Sequence, residues 1–255
     1  MKKIMIAALA ITLLVPAMAS ADTLTIRFGY FLPKAGQNYP DSLWAIEFDQ
    51  MSFKKSNFNE AMLGIGYERF LSKQLSLCLS VDTYNKTKLG IYNDYVGYSF
   101  DEGEFAFPYE YYVGDYDIDH SFGVSITPIQ LSLKLAPGGR RTWLVPYVGG
   151  GVGLYIYSAS LRGLVIDFSD PWIYDDEDLG EVDIFPVFQS YVRETRVAFG
   201  YHAFGGFMIP IGSRMTIDLE ARYNFAKGSF KDDFQDFGTF DLSGPVFSAG
   251  INYWF

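Results

Sequence analysis

Nine ionisable side chains fall at positions where, on a predicted strand, they would face away from the apolar residues. Such a set can form arginine–carboxylate pairs, relay protons or line a path for ions. Because an unpaired buried charge is costly, the set predicts a polar network in the interior, or lumen, of the fold. The nine residues are Arg27, Glu68, Asp82, Lys134, Arg196, His202, Asp218, Glu220 and Arg222. We interpret the network as structural, with a narrow or gated solute path as the alternative.

His120 and Ser121 are the residue types of a general base and a nucleophile. Neighbouring residues on one strand point to opposite faces, so these two cannot form a catalytic couple by themselves. An acidic partner could come from Asp117 or Asp119, but nothing in the sequence places either one. We therefore expect no catalytic residues and interpret His120 as a solvated loop histidine.

Two further patterns could bind a cofactor or a metal. Gly149 and Gly151 lack the spacing of a dinucleotide-binding loop, and no helix follows them. The acidic run Asp175–Asp178 lacks the alternating oxygen ligands and the glycine of an EF-hand loop. We expect no cofactor and no dedicated metal site. Solvated charge is our interpretation of the acidic run, and Mg²⁺ or Ca²⁺ shared with lipopolysaccharide phosphates is the alternative.

Composition restricts the class of protein. The 255 residues carry 30 Asp and Glu against 20 Lys and Arg, a net charge of −10, which argues against a nucleic-acid partner. Aromatic residues make up 18% of the chain, a high share that is typical of membrane barrels with aromatic girdles. Cys78 is the only cysteine, so no internal disulfide can form.

The first 21 residues predict an export signal. Lys2 and Lys3 precede an apolar stretch from Ile4 to Val15, and a small-residue cleavage site follows at 19–21. We therefore divide the chain into a cleaved signal peptide, 1–21, and one domain, 22–255. No other stretch approaches about 18 uninterrupted apolar residues, so this domain could cross a membrane only as strands.

Eight segments alternate apolar and polar residues with the two-residue period of a strand. They are Leu24–Leu32, Asn57–Phe70, Leu75–Asp82, Ser121–Leu135, Trp143–Tyr157, Arg196–Phe207, Met215–Phe225 and Pro245–Phe255. In the fourth segment Phe122, Val124 and Ile126 share the apolar face, which then continues one residue late at Ile129. A slip of one residue beside a proline is typical of a β-bulge, so we predict a bulge at Thr127–Pro128.

The connections between these segments alternate between long and short. The short ones are Leu71–Gln74, Ala136–Thr142 and Pro210–Arg214. Long extracellular loops and short periplasmic turns are a property of outer-membrane barrels. We predict an all-β fold, an antiparallel up-and-down transmembrane β-barrel of eight strands. Ten strands are possible if Leu89–Tyr98 pairs with later loop residues.

The last segment ends on an aromatic residue and is apolar at alternate positions before it. The positions that carry this pattern are Phe247, Ile251, Tyr253 and Phe255. Together with Pro146–Leu154 and the glycine-bearing sixth segment, the chain resembles the small eight-stranded bacterial outer-membrane barrels, the OmpA/OmpX/OmpW-like β-barrel domain group. The resemblance covers residues 22–255 and depends on pattern more than on invariant residues.

The resemblance implies a Gram-negative outer-membrane location, and a monomer in contact with outer-membrane lipid and lipopolysaccharide. It also implies that the barrel assembly machinery recognises the last strand. The role we expect is non-enzymatic, either structural or surface binding through the long acidic and aromatic loops. Passive transfer of small or hydrophobic molecules through a narrow barrel is the alternative. A lipid-modifying barrel enzyme is the third interpretation.

Overall fold

The computed structural model describes residues 22–34, 52, 55–139, 142–235 and 238–255. Almost all of its regular structure is β-strand, with one 3₁₀ turn at Lys55–Phe58. The strands are β1 (Asp22–Phe31), β2 (Glu60–Phe70), β3 (Leu75–Ile91), β4 (Tyr95–Phe100), β5 (Gly103–Pro108), β6 (Asp119–Leu135), β7 (Val145–Ile166), β8 (Trp172–Asp176), β9 (Gly180–Pro210), β10 (Met215–Ser229), β11 (Thr239–Asp241) and β12 (Gly244–Trp254). The predicted signal peptide, 1–21, lies outside the described residues.

Eight of these strands close into a ring in the order β1, β2, β3, β6, β7, β9, β10 and β12. Every neighbouring pair is antiparallel, and β12 returns to pair with β1, where Ile26 lies opposite Ile251. The predicted eight-stranded antiparallel barrel is therefore confirmed. The ten-strand alternative is wrong, because β4 pairs with β5 and neither strand enters the ring.

The two ends of the barrel differ as predicted. At one end, called the turn end, short connections join β2 to β3, β6 to β7 and β9 to β10. In the middle one of these, Gly139 has a φ of +69°, a left-handed conformation that favours glycine. The opposite end, called the loop end, carries the long connections and the additional strands β4, β5, β8 and β11.

The barrel is apolar outside and carries its buried charges inside. Large apolar side chains from all eight barrel strands form an outward ring, called the apolar belt. Its members include Ile26, Phe28, Leu63, Ile65, Leu77, Leu79, Leu131, Leu133, Val152, Leu154, Val197, Phe199, Leu219, Phe225, Phe247 and Ile251. Phe28 is 63% exposed and Val197 61%, whereas Glu68 and Lys134 are each 4% exposed. This is the reverse of a water-soluble fold, in which apolar side chains form the core.

The interior has two layers. The turn-end half contains the ionisable residues, and the loop-end half contains a hydrophobic core. Core residues include Tyr84, Phe122, Val124, Tyr155 and Tyr157 from the strands, and Phe58, Phe230 and Phe240 from connections folded into the barrel mouth. The ring of Tyr157 lies 5.2 Å from that of Phe230, so the last long connection closes over the barrel.

The predicted β-bulge at Thr127–Pro128 is wrong. Tyr84 pairs with Ile126 and Val81 with Ile129 at one constant register, and the ladder to β7 is continuous through Pro128. Phe122, Val124 and Ile126, which we expected on the outer face, point into the barrel at 0–4% exposure. The apparent slip arises because the interior itself changes from polar to apolar along β6.

β7 and β9 continue beyond the barrel mouth and support a small additional sheet. Its order is β4–β5–β9–β8, where β9 contributes residues 180–187. Val96 pairs with Phe107, Glu104 with Val187, and Trp172 with Ile184. We call this unit the protruding sheet. No helix among the described residues is long and apolar enough to cross a membrane.

Candidate functional site

The first part of the interior network joins β1, β3 and β10. Arg27 donates from Nε and Nη2 to the two carboxylate oxygens of Asp82, each at 2.7 Å. Arg222 lies 3.1 Å from the same carboxylate and donates to Glu220 Oε1 at 2.6 Å. Arg27 also lies 3.7 Å from Glu220. Two arginines and two carboxylates thus alternate across the bore, and the bidentate pair fixes their geometry.

The second part surrounds Lys134 on β6. Its Nζ lies 3.1 Å from Glu68 Oε2 and 3.7 Å from Asp218 Oδ2. The same ammonium group lies 4.0 Å from the centroid of the Tyr147 ring, a cation–π contact. Ser76 also donates to Glu68, at 2.5 Å. These contacts connect β2, β3, β6, β7 and β10 across the turn-end half of the barrel.

Neutral side chains link the two parts to each other and to the apolar layer. The Tyr147 hydroxyl donates to Asp218 and lies 3.2 Å from Glu220. Gln130 accepts a hydrogen bond from Arg222 and donates to Asn224 and to Tyr155, both at 2.9 Å. The sequence reasoning missed Tyr147 and Gln130, although the alternation of β6 and β7 places both on inward positions.

His202 lies at the edge of the network. Its Nε2 is 2.7 Å from the Ser132 hydroxyl, and its ring stacks on Phe204. Eight of the nine residues that the sequence singled out therefore meet in the turn-end half of the interior. Six of these eight, all except Asp82 and His202, line a cavity of about 40 Å³, which is room for a few water molecules.

Arg196 lies apart from the other eight, on the loop-end side. It pairs with Glu194 at 2.5 Å and with Asp232 at 2.6 Å. Glu194 also accepts hydrogen bonds from the backbone N–H groups of Lys231, Asp232 and Phe234. Burial raises the pKa of Glu194, but these N–H groups and Arg196 outweigh it and lower the pKa. Through these hydrogen bonds Glu194, which the sequence reasoning missed, holds the β10–β12 connection over the barrel mouth.

The protruding sheet presents aromatic side chains outside the barrel. Phe107 lies 4.9 Å from the rings of both Tyr98 and Tyr112, and Trp172 lies 5.0 Å from Phe105. These ring contacts belong to an aromatic surface that remains partly open to solvent, with Phe100 41% and Trp172 47% exposed. A rigid aromatic surface loses little conformational entropy when a partner binds it.

The same unit is strongly acidic. Residues 92–119 contain eight Asp and Glu, residues 167–183 contain another eight, and neither segment contains Lys or Arg. More than half of the 30 acidic residues thus lie in the segments that form the protruding sheet and its connections. The electrostatic field at the loop end attracts cationic partners and repels free anions.

The acidic run Asp175–Asp178 is partly used for internal hydrogen bonds. Asp176 accepts the backbone N–H groups of Asp178 and Leu179 and the hydroxyl of Tyr112, and these bonds lower its pKa. Burial and the same Asp176 contact raise the pKa of Tyr112 to about 12. The described residues contain no group of three or more His, Cys, Asp or Glu side chains that could hold a metal ion.

His120 and Ser121 lie on opposite faces of β6. His120 points inward, is 1% exposed and stacks edge-on against Tyr92 at 4.9 Å, so the interpretation as a solvated loop histidine is wrong. Ser121 faces outward and donates to the backbone carbonyl of Arg162. The four positions in the last strand that carry the resemblance all face outward, and Phe255 is 47% exposed.

Comparison with known proteins gives structural likenesses only. No family model matches the chain, and no curated protein matches it. The chain is similar to the Neisserial surface protein A, with 12% identity and a TM-score of 0.46 over 92% of this chain and 99% of that one. It is also similar to the N-terminal β-barrel domain of Pseudomonas aeruginosa OprF, with 10% identity and a TM-score of 0.40 over 92% and 97%. The E. coli outer membrane protein W has 16% identity and a TM-score of 0.39 over 93% and 100%.

Proposed function

We propose that this chain is an integral outer-membrane β-barrel protein whose loop end is a binding surface at the cell exterior. The observation that carries the location is the apolar belt, to which all eight barrel strands contribute. In water such a belt would expose a continuous apolar surface far larger than monomeric soluble proteins tolerate. In a bilayer it faces lipid, and the closed ring leaves no strand edge unpaired.

The protruding sheet supports the binding role. It carries exposed rings such as Trp172 and Tyr174 beside many carboxylates, with no Lys or Arg in its segments. This combination suits a cationic protein segment that presents Lys or Arg together with apolar side chains. β8 also offers a free edge, because β9 is its only strand partner among the described residues. An extended segment could add to that edge through main-chain hydrogen bonds.

Protease treatment of intact cells tests both location and orientation. The loop-end residues Tyr109 and Tyr111 are 61% and 57% exposed outside the strands, and no Lys or Arg lies between residues 92 and 119. Chymotrypsin should therefore cut there, whereas trypsin should leave this segment intact. A chain that resists chymotrypsin in intact cells but is cut in lysed cells would contradict the orientation.

Passive transfer through the barrel is the competing proposal, and the filled interior argues against it. The ion-paired layer and the aromatic layer occupy successive halves of the bore, as expected for a barrel of eight strands. We propose no enzymatic role, because His120 and Ser121 point to opposite faces of β6. Ion conduction by the wild-type protein would favour the solute-transfer proposal over surface binding.

The remaining parts of the proposal concern how the protein reaches the membrane. We propose that residues 1–21 are a cleaved signal peptide and that 22–255 is the barrel domain. Phe247, Ile251, Tyr253 and Phe255 are the signal read by the barrel assembly machinery, and the inserted protein is a monomer. N-terminal sequencing of the membrane-extracted protein should give Asp22 as the first residue, and recovery of Met1 would contradict cleavage.

A further inference from the structure

The β7–β9 hairpin changes character where it leaves the apolar belt. Ile156 and Val197 lie opposite each other and are the last aliphatic residues of the belt on these two strands. Beyond them the outward positions of β7 are Ser158, Ser160 and Arg162, and those of β9 are Thr195, Arg193 and Tyr191. Hydroxyl and guanidinium groups therefore replace aliphatic side chains just past the belt.

The two arginines are close neighbours on this outward face. Arg162 lies opposite Tyr191 and Ser160 opposite Arg193, so Arg162 and Arg193 occupy diagonal positions on adjacent strands. Diagonal residues on one face of a sheet are within reach of long side chains. Both arginines are exposed, and Arg162, Gln189, Ser190 and Tyr191 line a surface depression of about 400 Å³.

Neither arginine forms an ion pair with any part of the chain that the structure describes. Arg27, Arg196 and Arg222, in contrast, are each bonded to a carboxylate. By strand register, Asp119 on β6 lies diagonal to Arg162, on the side away from Arg193. The pair thus forms a cationic patch beneath an otherwise acidic loop end.

The patch lies outside the hydrocarbon core, at the outer edge of the headgroup layer. Arg193 lies four residues beyond Val197, and Arg162 lies six residues beyond Ile156. With a rise of ~3.3 Å per residue and a strand tilt of ~40°, both lie roughly 10–15 Å past the belt. The headgroup layer extends only about 5–8 Å past the hydrocarbon core, so the patch lies at the outer edge of that layer, where the bulky sugar headgroup of a glycolipid would reach.

We propose that Arg162 and Arg193 form a binding site for the phosphate monoester of an outer-leaflet glycolipid headgroup. Two guanidinium groups can each bind a phosphate through paired N–H donors, and the neighbouring Tyr191, Gln189 and serine side chains suit a sugar. The acidic protruding sheet above repels anions arriving from solution, so the phosphate comes from the plane of the membrane. This site rests on the proposed outer-membrane location.

Lipid binding in nanodiscs tests the site. The wild-type barrel, the double variant Arg162→Gln/Arg193→Gln and the control Arg69→Gln/Arg214→Gln would be placed in phosphatidylcholine discs. The control removes two exposed arginines at the turn-end side, so it matches the lost charge. Native mass spectrometry would then measure binding of bisphosphorylated lipid A, of the same lipid with its phosphates removed, and of phosphatidylglycerol.

Wild type and control should bind phosphorylated lipid A equally. The double variant should lose roughly tenfold or more in affinity, because it removes both guanidinium groups and their charge-assisted hydrogen bonds to the phosphate. Equal binding by the double variant would overturn the site. Equal binding of phosphatidylglycerol or of dephosphorylated lipid A by the wild type would overturn the monoester assignment, as would competition by dilute inorganic phosphate. Heat-modifiable gel mobility, measured for every variant, reports membrane insertion independently of lipid binding. Failure of the proposed membrane location can therefore be distinguished from failure of the lipid site.

Discussion

The backbone N–H of Phe255 donates to the carbonyl oxygen of Asp22 at 3.1 Å. This bond joins the last residue to the first residue of β1, and the ladder between β12 and β1 continues from Thr23 opposite Trp254 up to Phe31 opposite Val246. The side chain of Asp22 accepts a hydrogen bond from Tyr67 on β2, so three strands meet at this point. The seam between β12 and β1 thus extends to Phe255.

Removal of Phe255 should reduce the yield of folded barrel in the outer membrane. The outward aromatic ring and the backbone bond to Asp22 are both lost, and the terminal aromatic is the proposed assembly signal. Heat-modifiable gel mobility of membrane fractions measures folded yield. Phe199→Ala, which removes an equally outward ring from β9, away from the seam between β12 and β1, is the control. Equal folded yields for the shortened chain and the wild type would contradict the terminal signal.

The sequence was sufficient to predict the barrel because period-2 alternation is a local property. On β10, Leu219 and Phe225 point outward while Asp218 and Arg222 point inward, as the alternation predicts. The same pattern predicted that Arg27, Glu220 and Arg222 cluster, because inward positions of neighbouring strands converge in a narrow interior. Pairing partners such as Arg27 with Asp82 could not be predicted, because they depend on strand register and tilt.

The errors came from treating the interior as uniform. Phe122 and Val124 are apolar residues on the inward face, where they pack in a core formed by other inward strand residues and by the connections folded into the mouth. Those connections, with Phe58 and Phe240, carry no periodic signal that a sequence argument can use. The protruding sheet was missed for a related reason, because β4, β5 and β8 are only five or six residues long.

Substitution on the belt should separate membrane-facing from water-facing positions on a single strand. Leu219→Arg places a charge in the belt, whereas Ser229→Arg places one on the same outward face beyond it. We expect Leu219→Arg to lower the free energy of unfolding by about 2–4 kcal/mol if the residue lies near the bilayer midplane, and Ser229→Arg by about 0–1. Urea titration of protein refolded into lipid vesicles measures both. Similar costs would mean that the belt does not face lipid.

Acidification should loosen the β10–β12 connection. The folded-state pKa of Glu194 is lowered, so its contribution is present above the ordinary pKa of 4.5 and disappears as pH falls through the folded value. Hydrogen exchange at the N–H groups of Lys231 and Phe234 measures this, because both donate to Glu194. Glu194→Gln should expose these N–H groups to exchange already at neutral pH. The variant Asp183→Asn, at an exposed position on the protruding sheet, should not change them.

The interior ion pairs should contribute to stability because each buried charge depends on its partner. Glu220→Ala leaves Arg27 and Arg222 to share Asp82, and a buried charge without its partner typically costs about 3–5 kcal/mol. Glu60→Ala is the control, because it removes a carboxylate from the half-exposed pair with Lys86, which should be worth less than about 1 kcal/mol. Urea unfolding in vesicles compares the two. Equal losses of unfolding free energy in the two variants would show that the interior network is hydrated rather than closed to water.

The same variant decides whether the closed interior depends on charge or on packing. Ions entering from the turn end would first meet the Lys134–Glu68 pair and then the Arg27–Asp82–Arg222 layer. Beyond these lie the rings of Tyr84, Tyr155 and Tyr157, which are at most 1% exposed. Because the second layer is apolar and excludes ions without help from any charge, Glu220→Ala should admit water without producing conduction. Planar-bilayer recordings of the purified wild type and of Glu220→Ala should therefore both lack stable open steps. Steady conductance steps from the wild type would contradict a closed interior and favour solute transfer. Conductance steps from Glu220→Ala alone would mean that the ionic layer is the only barrier.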